Sequence, residues 1–507
     1  MIDIVNISVL VVFGICMAFI FSYSLIQLNL IINYLKSKKQ PKKEETKLND
    51  LPLVTVQLPI YNELYVVERL IDKICEFDYP KDKLEIQILD DSDDETVDII
   101  KQKVKFYKNL DFDINHIRRT DRKGYKAGAL KYGTSLCKGE FIAIFDADFL
   151  PQSDFLFKTL PYFNLKHVGV VQTRWGFINS NYSTLTALQS FALDAHFTIE
   201  QVGRNYSNHF INFNGTAGVW RKACIEDAGG WEADTLTEDL DLSYRAQLKG
   251  WRFIYLEDVV TPSELPIEMN ALKQQQFRWT KGAAECTVKN LVRVLNSKAI
   301  DGVKPKTSTK IHAIFHLMNS SIFPIIFLMS LLTLPLILIK PLYPEYYYLI
   351  QIPGFFMISW LILAVFYWVS YTKNKTGNFI SFLTHFIGFL SVSMGLSLHN
   401  SLAVFEGYIG KKTPFIRTPK FNIETTKNWA QNKYIVKKIN PLTIFEGGML
   451  IYLMYTLYVA ITYRDFGMIP MLLFLIFGYS YVFFNSIIHL NKIKRKASFY
   501  SLKKIGQ

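Results

Sequence analysis

The sequence predicts an α/β domain, built on a mostly parallel sheet, joined to an α-helical membrane region. Three observations carry this prediction. Short β-rich runs alternate with helical patterns from Leu51 to about Leu295. Apolar runs of about 20 residues or more, enough to cross a bilayer, lie on both sides of that region. The dense basic runs, Lys36 to Lys43, Lys411 to Lys420 and Lys492 to Lys496, all flank apolar stretches.

Composition agrees. The 507 residues are 50% hydrophobic and 15% aromatic, too apolar for a soluble enzyme and too polar for membrane helices alone. The net charge of +13 sits beside apolar runs, which is the positive-inside pattern and not a nucleic-acid footprint. Cys16, Cys75, Cys137, Cys224 and Cys286 are scattered and form no Cys-x-x-Cys pair, so the pattern supports neither a zinc site nor a disulfide framework. They read as small buried hydrophobes in a reducing compartment.

Taken in order, Ile7 to Leu35 is apolar and ends in Lys36-Ser37-Lys38-Lys39. It is too long for a signal-peptide core and has no cleavage site, so residues 1–36 are expected to be a membrane helix with its basic end in the cytoplasm. A polar linker, 37–50, follows. In the domain at 51–300 the expected strands are Val54–Pro59, Leu84–Leu89, Phe112–Ile117, Phe141–Phe145 and Val168–Gln172. The expected helices are Glu63–Phe77, Asp94–Lys108 and Tyr125–Lys138. Residues 301–490 hold the apolar runs Ile311–Ile339, Tyr346–Tyr371, Phe379–Ala403, Thr443–Tyr463 and Met468–Leu490, with a cytosolic loop at 406–438. That basic loop and the α/β domain should share one side of the membrane, so the most polar run, Phe379–Ala403, is expected to re-enter or lie at the interface. Five crossings remain. A basic tail, 491–507, completes the chain.

Ligands of such sheets bind beyond the carboxyl ends of the strands. Those ends carry Pro59-Ile60-Tyr61-Asn62-Glu63, Asp90-Asp91-Ser92-Asp93-Asp94 and Asp146-Ala147-Asp148. Asp146 and Asp148 can hold a divalent cation, Mg2+ or Mn2+, against a diphosphate; a solvated turn is the plainer reading. Asp90 and Asp91 suit a base or ribose, while the later acids of that cluster suit a helix start. The run Arg122 to Ala129, with Lys126, offers a phosphate seat at a helix N-terminus. Asp239, in Thr237-Glu238-Asp239, is placed to act as a general base, or else belongs to an acidic helix start capped by Thr237. Arg278 offers fixed positive charge and Trp279 a flat apolar face for a sugar ring; ordinary packing or interface anchoring is the alternative.

In this order and spacing, Asp91, Asp146-x-Asp148, Thr237-Glu238-Asp239 and Gln275-x-x-Arg278-Trp279 resemble the signature of the processive family 2 glycosyltransferases, the cellulose-synthase-like enzymes. Gly124 to Leu130 and Phe213 to Arg221 resemble the mannan- and glucan-synthase-like branch. The resemblance implies a GT-A (Rossmann-like) fold and a nucleotide-diphospho-sugar donor, UDP-glucose or GDP-mannose. It further implies inversion at the anomeric carbon and a β-linked, β-1,4 polysaccharide, exported through the enzyme's own helices. By the same resemblance Pro59, Tyr61, Glu63, Asp90, Asp91, Lys126, Asp146, Gln275 and Arg278 hold the donor. Asn214, Gly215, Thr216, Glu238 and Trp279 hold the growing glycan acceptor. Phe415, Thr418 and Lys420 belong to a loop similar to the gating loop of cellulose synthases, departing from it at Arg417, where a small apolar residue is usual. No cyclic-dinucleotide-binding domain is expected after the last helix. The expected location is the bacterial inner membrane, with the catalytic domain in the cytoplasm. A single-step glycolipid synthase, of the ceramide or diacylglycerol glycosyltransferase type, is the alternative enzyme; a catalytically dead scaffold or transporter is the alternative of another class.

Overall fold

The computed structural model describes residues 2–41, 50–297, 305–343, 357–374, 377–422, 432–435 and 440–505. A long helix, α1 (Ile2–Lys38), leads into the α/β domain. There the elements run β1 (Val54–Ile60), α2 (Val67–Cys75), β2 (Leu84–Asp90), α3 (Thr96–Lys108), β3 (Asp113–Arg118), α4 (Tyr125–Leu136), β4 (Phe141–Ile144), α5 (Phe155–Thr159) and β5 (Val168–Phe177). The second half runs α6 (Thr184–Ala195), α7 (Gln201–Tyr206), β6 (Gly218–Arg221), α8 (Lys222–Asp227), α9 (Glu238–Leu248), β7 (Arg252–Ser263) and α10 (Met269–Leu295).

The seven strands form one sheet in the order β3-β2-β1-β4-β6-β5-β7. All pairings are parallel except those of β6, which runs antiparallel to both β4 and β5. This is the mixed, Rossmann-like sheet of a GT-A fold. The inner strands read as near-continuous apolar runs because helices cover both of their faces; every residue of β2 is buried. Polar residues inside them pair across strands in register, Thr55 Oγ1 with Glu85 Oε2 at 2.6 Å and Gln57 Nε2 with Gln87 Oε1 at 3.0 Å. Buried partners of this kind remove the cost of desolvating those groups.

The elements differ from expectation in four places. Helix α2 starts at Val67, not Glu63, because the turn after β1 puts Asn62 at φ 55° and ties its backbone N–H to Ser92 Oγ. Strand β5 runs on to Phe177 because β7, unanticipated, pairs with it along its whole length. Strand β6, four residues long, is too short to show a period of two. The helix Ile469–Ile505 runs on into the expected tail, with no Gly or Pro between Gly478 and Gly506 to stop it.

Among the described residues four helices are long and apolar enough to cross a membrane: Ile4–Lys38, Thr307–Leu342, Leu442–Thr462 and Phe466–Asn491. The expected re-entrant run forms two helices, Phe379–Gly395 and Ser397–Tyr408, bent by 51° and amounting to a fifth span if they act as one. The run Tyr346–Tyr371 lies partly outside the described residues; its described part belongs to the helix Met357–Asn374. The linker's 42–49 and the loop's 423–431 and 436–439 also lie outside them.

Candidate active site

A cavity of about 510 Å³ opens beyond the carboxyl ends of β1, β2 and β4, floored by α4 and walled by α9 and α10. Of the residues singled out from the sequence, it gathers Pro59, Tyr61, Glu63, Asp91, Lys126, Asp146, Asp148, Asn214, Gly215, Glu238, Asp239, Gln275, Arg278, Trp279, Phe415, Thr418 and Lys420. Two stand apart. Asp90 is 1% exposed and does not line the cavity: as the last residue of β2 it turns under the sheet edge, to His116 Nε2 at 2.7 Å and the Ser92 N–H at 2.9 Å. Thr216 is fully buried behind the wall, its Oγ1 accepting from the Asp146 N–H at 2.8 Å.

Asp239 lies in the first turn of α9. Thr237 does not cap that helix with its side chain; its hydroxyl meets Cys286 Sγ at 3.4 Å instead. Gly215, at φ 80°, lets the chain pass close to the carboxylate: a Cβ there would lie 3.0 Å from Asp239 Oδ2 and 3.6 Å from Lys126 Nζ. Burial, and then the neighbouring Glu238 charge, raise the Asp239 pKa well above the usual carboxylate range, against the pull of Lys126. Burial raises Glu238 likewise.

Lys126 donates to Asp146 Oδ1 and to the Gly215 carbonyl at 2.9 Å. Burial works against its charge, yet Asp146, Glu238 and Asp239 together hold its pKa above the ordinary value. Helix α10 begins at a built cap, Glu268 accepting from the Asn270 and Ala271 N–H groups. Its spacing then presents Gln275, Arg278 and Trp279 on one face toward the cavity. Burial lowers the Arg278 pKa, and Asp146 and Glu238 oppose that most.

The segment 412–420 lies across the cavity mouth. Phe415 packs 5.7 Å from the Tyr125 ring, with the Arg278 guanidinium 5.1 Å from its own. Arg417 donates to the Asn62 carbonyl and, at 2.8 Å, to Glu63 Oε2; burial drives the Glu63 pKa up to about 7 against the pull of Arg417 and Lys420. Lys420 Nζ reaches Asp148 Oδ2 at 2.7 Å. Lys281, fully buried on α10, holds the start of the strap through Glu406, the Lys411 carbonyl and Thr413 Oγ1.

Asp146 and Asp148 fit a divalent cation. Each already faces a cation, and Asp148 Oδ1 is buried with no hydrogen-bond partner, an oxygen left for a ligand. A second acidic cluster, Glu232, Asp234 and Asp241, converges on Lys289 Nζ at 2.6, 2.8 and 3.0 Å, with Arg245 Nε also on Asp241. Those cations occupy it.

Sequence reasoning missed Arg119, which binds Asp91 in a fork, and Lys281 and Glu264, which pin the strap. The Arg118-Arg119 pair at the end of β3 was a signal for the first. Trp231 is 2% exposed and packs on Trp220 in the core.

Residues 52–282 match a family model described as Glycosyltransferase like family 2. They are a family 2 glycosyltransferase domain. This glycosyltransferase domain has curated relatives in plants. "Probable glucomannan 4-beta-mannosyltransferase 4" of Oryza sativa subsp. japonica is 42% identical over 302 residues, 57% of this chain and 53% of the relative. "Glucomannan 4-beta-mannosyltransferase 9" of Arabidopsis thaliana is 39% identical over 287 residues, 55% and 52% of the two chains. The chain thus spans about half the length of the curated relatives it matches. These relatives give no support to a bacterial inner membrane. Among solved structures, a mannosyltransferase from Pyrobaculum calidifontis in complex with GDP-Man and Mn2+ superposes with a TM-score of 0.54 at 19% identity, covering 80% of this chain and all of that one. That likeness establishes the GT-A fold of the glycosyltransferase domain.

Proposed function

We propose that this protein is a membrane-anchored, inverting hexosyltransferase that extends a β-1,4-linked polysaccharide from a nucleotide-diphospho-sugar and passes it out through its own helices. One observation carries the reading. Asp239 stands at a helix start with a raised pKa, across the Gly215 gap from Lys126, in the same cavity as Arg278, Asp146 and Asp148. In this mechanism Asp239 takes the proton of the acceptor hydroxyl as its oxygen attacks the anomeric carbon. The bond from that carbon to the phosphate oxygen breaks on the opposite face, so configuration inverts and the nucleoside diphosphate leaves. Arg278 and Lys126 offset the charge that builds on it. Asp146 and Asp148 would hold a divalent cation, Mg2+ or Mn2+, which supplies further neutralisation at the diphosphate.

Glu63, Pro59, Tyr61, Asp91 and Gln275 lie on the donor side of this reading. Asn214, Gly215, Glu238 and Trp279 lie on the acceptor side, with Thr216 supporting Asp146 from behind. Phe415, Thr418 and Lys420 close the mouth. Asp90 acts only through His116 and the β2 end. The names of the plant relatives favour GDP-mannose over UDP-glucose as donor.

The test is incorporation of labelled sugar by the full chain in lipid, with each donor offered separately and magnesium or manganese present. High-molecular-weight β-linked product from GDP-mannose is expected. Asp239→Asn should lower turnover by about 10²–10⁴-fold while donor binding stays within twofold, roughly 0.4 kcal/mol. Turnover retained in that variant refutes the base assignment, and label confined to a glycolipid refutes the polymerase.

A further inference from the structure

Helices α6 and α7 are one continuous rod interrupted by a π-helical turn at His196–Glu200. Such a turn is rare and is found frequently at functional sites. Here the turn is held on both sides. Tyr255 Oη donates to the Phe197 carbonyl, and Asn374 Nδ2 donates to Thr198 Oγ1 at 3.0 Å.

The turn brings His196 and Glu200 together. His196 Nδ1 meets Glu200 Oε2 at 2.8 Å, and Glu200 is 8% exposed. With one ring edge held, the Nε2 edge faces Asn214 Oδ1 at 3.4 Å. Two donors converge on that oxygen, Asn212 Nδ2 at 2.8 Å and Gln201 Nε2 at 3.4 Å. The Asn214 backbone N–H is fixed separately by Gln172 Oε1 at 3.0 Å. Asn214 Nδ2 is left over, buried with no hydrogen-bond partner, on a residue that lines the cavity next to Gly215 and Asp239. An amide with its oxygen saturated and its nitrogen unpaired is a donor awaiting an acceptor atom.

We infer that His196 and Glu200 are positioning residues that fix the Asn214 amide so that its Nδ2 group donates to a hydroxyl oxygen of the acceptor sugar beside Asp239. The inference rests on the glycosyl-transfer reading. The pair touches neither donor nor reacting atoms and acts through Asn214. Loss of Glu200 frees the imidazole to turn, the Asn214 amide loses its orientation, and acceptor recognition suffers while the donor side does not.

The experiment uses the full chain in lipid, with GDP-mannose as donor and β-1,4-linked mannohexaose as acceptor probe. For wild type, Glu200→Gln, His196→Ala and His196→Gln, it reads the KM of each substrate and, independently of turnover, mannohexaose binding by calorimetry. Glu200→Gln and His196→Ala should weaken mannohexaose binding and raise acceptor KM about tenfold, with donor KM within twofold. His196→Gln, whose amide keeps a hydrogen-bonding group near the Nε2 position, should recover most of the loss. Unchanged acceptor KM and binding in both disruptive variants overturns the inference. Donor and acceptor KM rising together, with a lower melting temperature, also overturns it, because the pair would then support the cavity as a whole. Wild-type protein that binds mannohexaose but turns over neither GDP-mannose nor UDP-glucose would fail the glycosyl-transfer reading instead; the calorimetry would still decide the role of the pair.

Discussion

Replacing Arg417 with alanine should loosen the strap at 412–422, and the size of the effect follows from its contacts. The guanidinium donates to the Asn62 carbonyl and to Glu63 Oε2, and it lies 4.1 Å from the Tyr434 ring centre. Both charged side chains are only 12% exposed. Breaking a buried ion pair from one side costs about 3–5 kcal/mol, and the ring contact adds about 0.5–2 kcal/mol. Glu63 limits the loss. Its pKa already stands at about 7, so without Arg417 it takes up a proton and does not remain a bare buried anion. The expected net cost is about 2–3 kcal/mol at pH 8, which would speed amide exchange in the strap roughly 30- to 150-fold.

The pH dependence has a definite sign. Burial holds the Glu63 pKa above its ordinary 4.5, so the closed form binds more protons than the open one between about 4.5 and about 7. The carboxyl's contribution to closure is therefore complete below that window and is lost as pH rises through about 7. Above it the anion depends on Arg417, so Arg417→Ala should cost more at pH 8 than at pH 6. Hydrogen–deuterium exchange of the peptide spanning 413–422, corrected for intrinsic rates at each pH, reads this directly. No acceleration, or equal acceleration at both pH values, refutes the reasoning.

Three other outcomes are expected. Since Asp239 must be ionised to act as base, kcat/KM should rise with pH across a limb above the ordinary aspartate range of about 3.9. Glu238→Gln, by removing a neighbouring negative charge, should move that limb to lower pH, and a limb that stays put argues against Asp239 as the titrating group. Lys281→Met leaves Glu406 to Lys411 alone and frees the Lys411 carbonyl and Thr413 anchors, at about 1–3 kcal/mol; thermal unfolding in detergent should register it as a lower melting temperature. Gly215→Ala places a Cβ 3.0 Å from Asp239 Oδ2 on a backbone at φ 80°, with about 1–2 kcal/mol of strain; turnover should fall more than tenfold, roughly 1.4 kcal/mol, and normal turnover would mean the gap at Gly215 is not needed.

The sequence alone was enough to read β1 and β2 and to single out most of the residues that gather in the cavity. Val54–Ile60 and Leu84–Asp90 are buried on both faces, so their apolar runs announce them without any partner. The Asp-x-Asp and Thr-Glu-Asp triplets, and the Gln-x-x-Arg-Trp stretch, are local too, because each sits on one strand end or one helix turn. Tertiary structure alone decided what each charge faces. Arg417 meets Glu63 across 354 residues of chain and Lys420 meets Asp148 across 272, while Asp90, beside Asp91 in sequence, is turned away to His116. Strand β7 is a strand because β5 lies beside it, and the π turn at His196 holds because Tyr255 and Asn374 receive it. Periodicity is fixed by neighbours a few residues away, whereas burial and pairing depend on groups that only folding brings within hydrogen-bond reach.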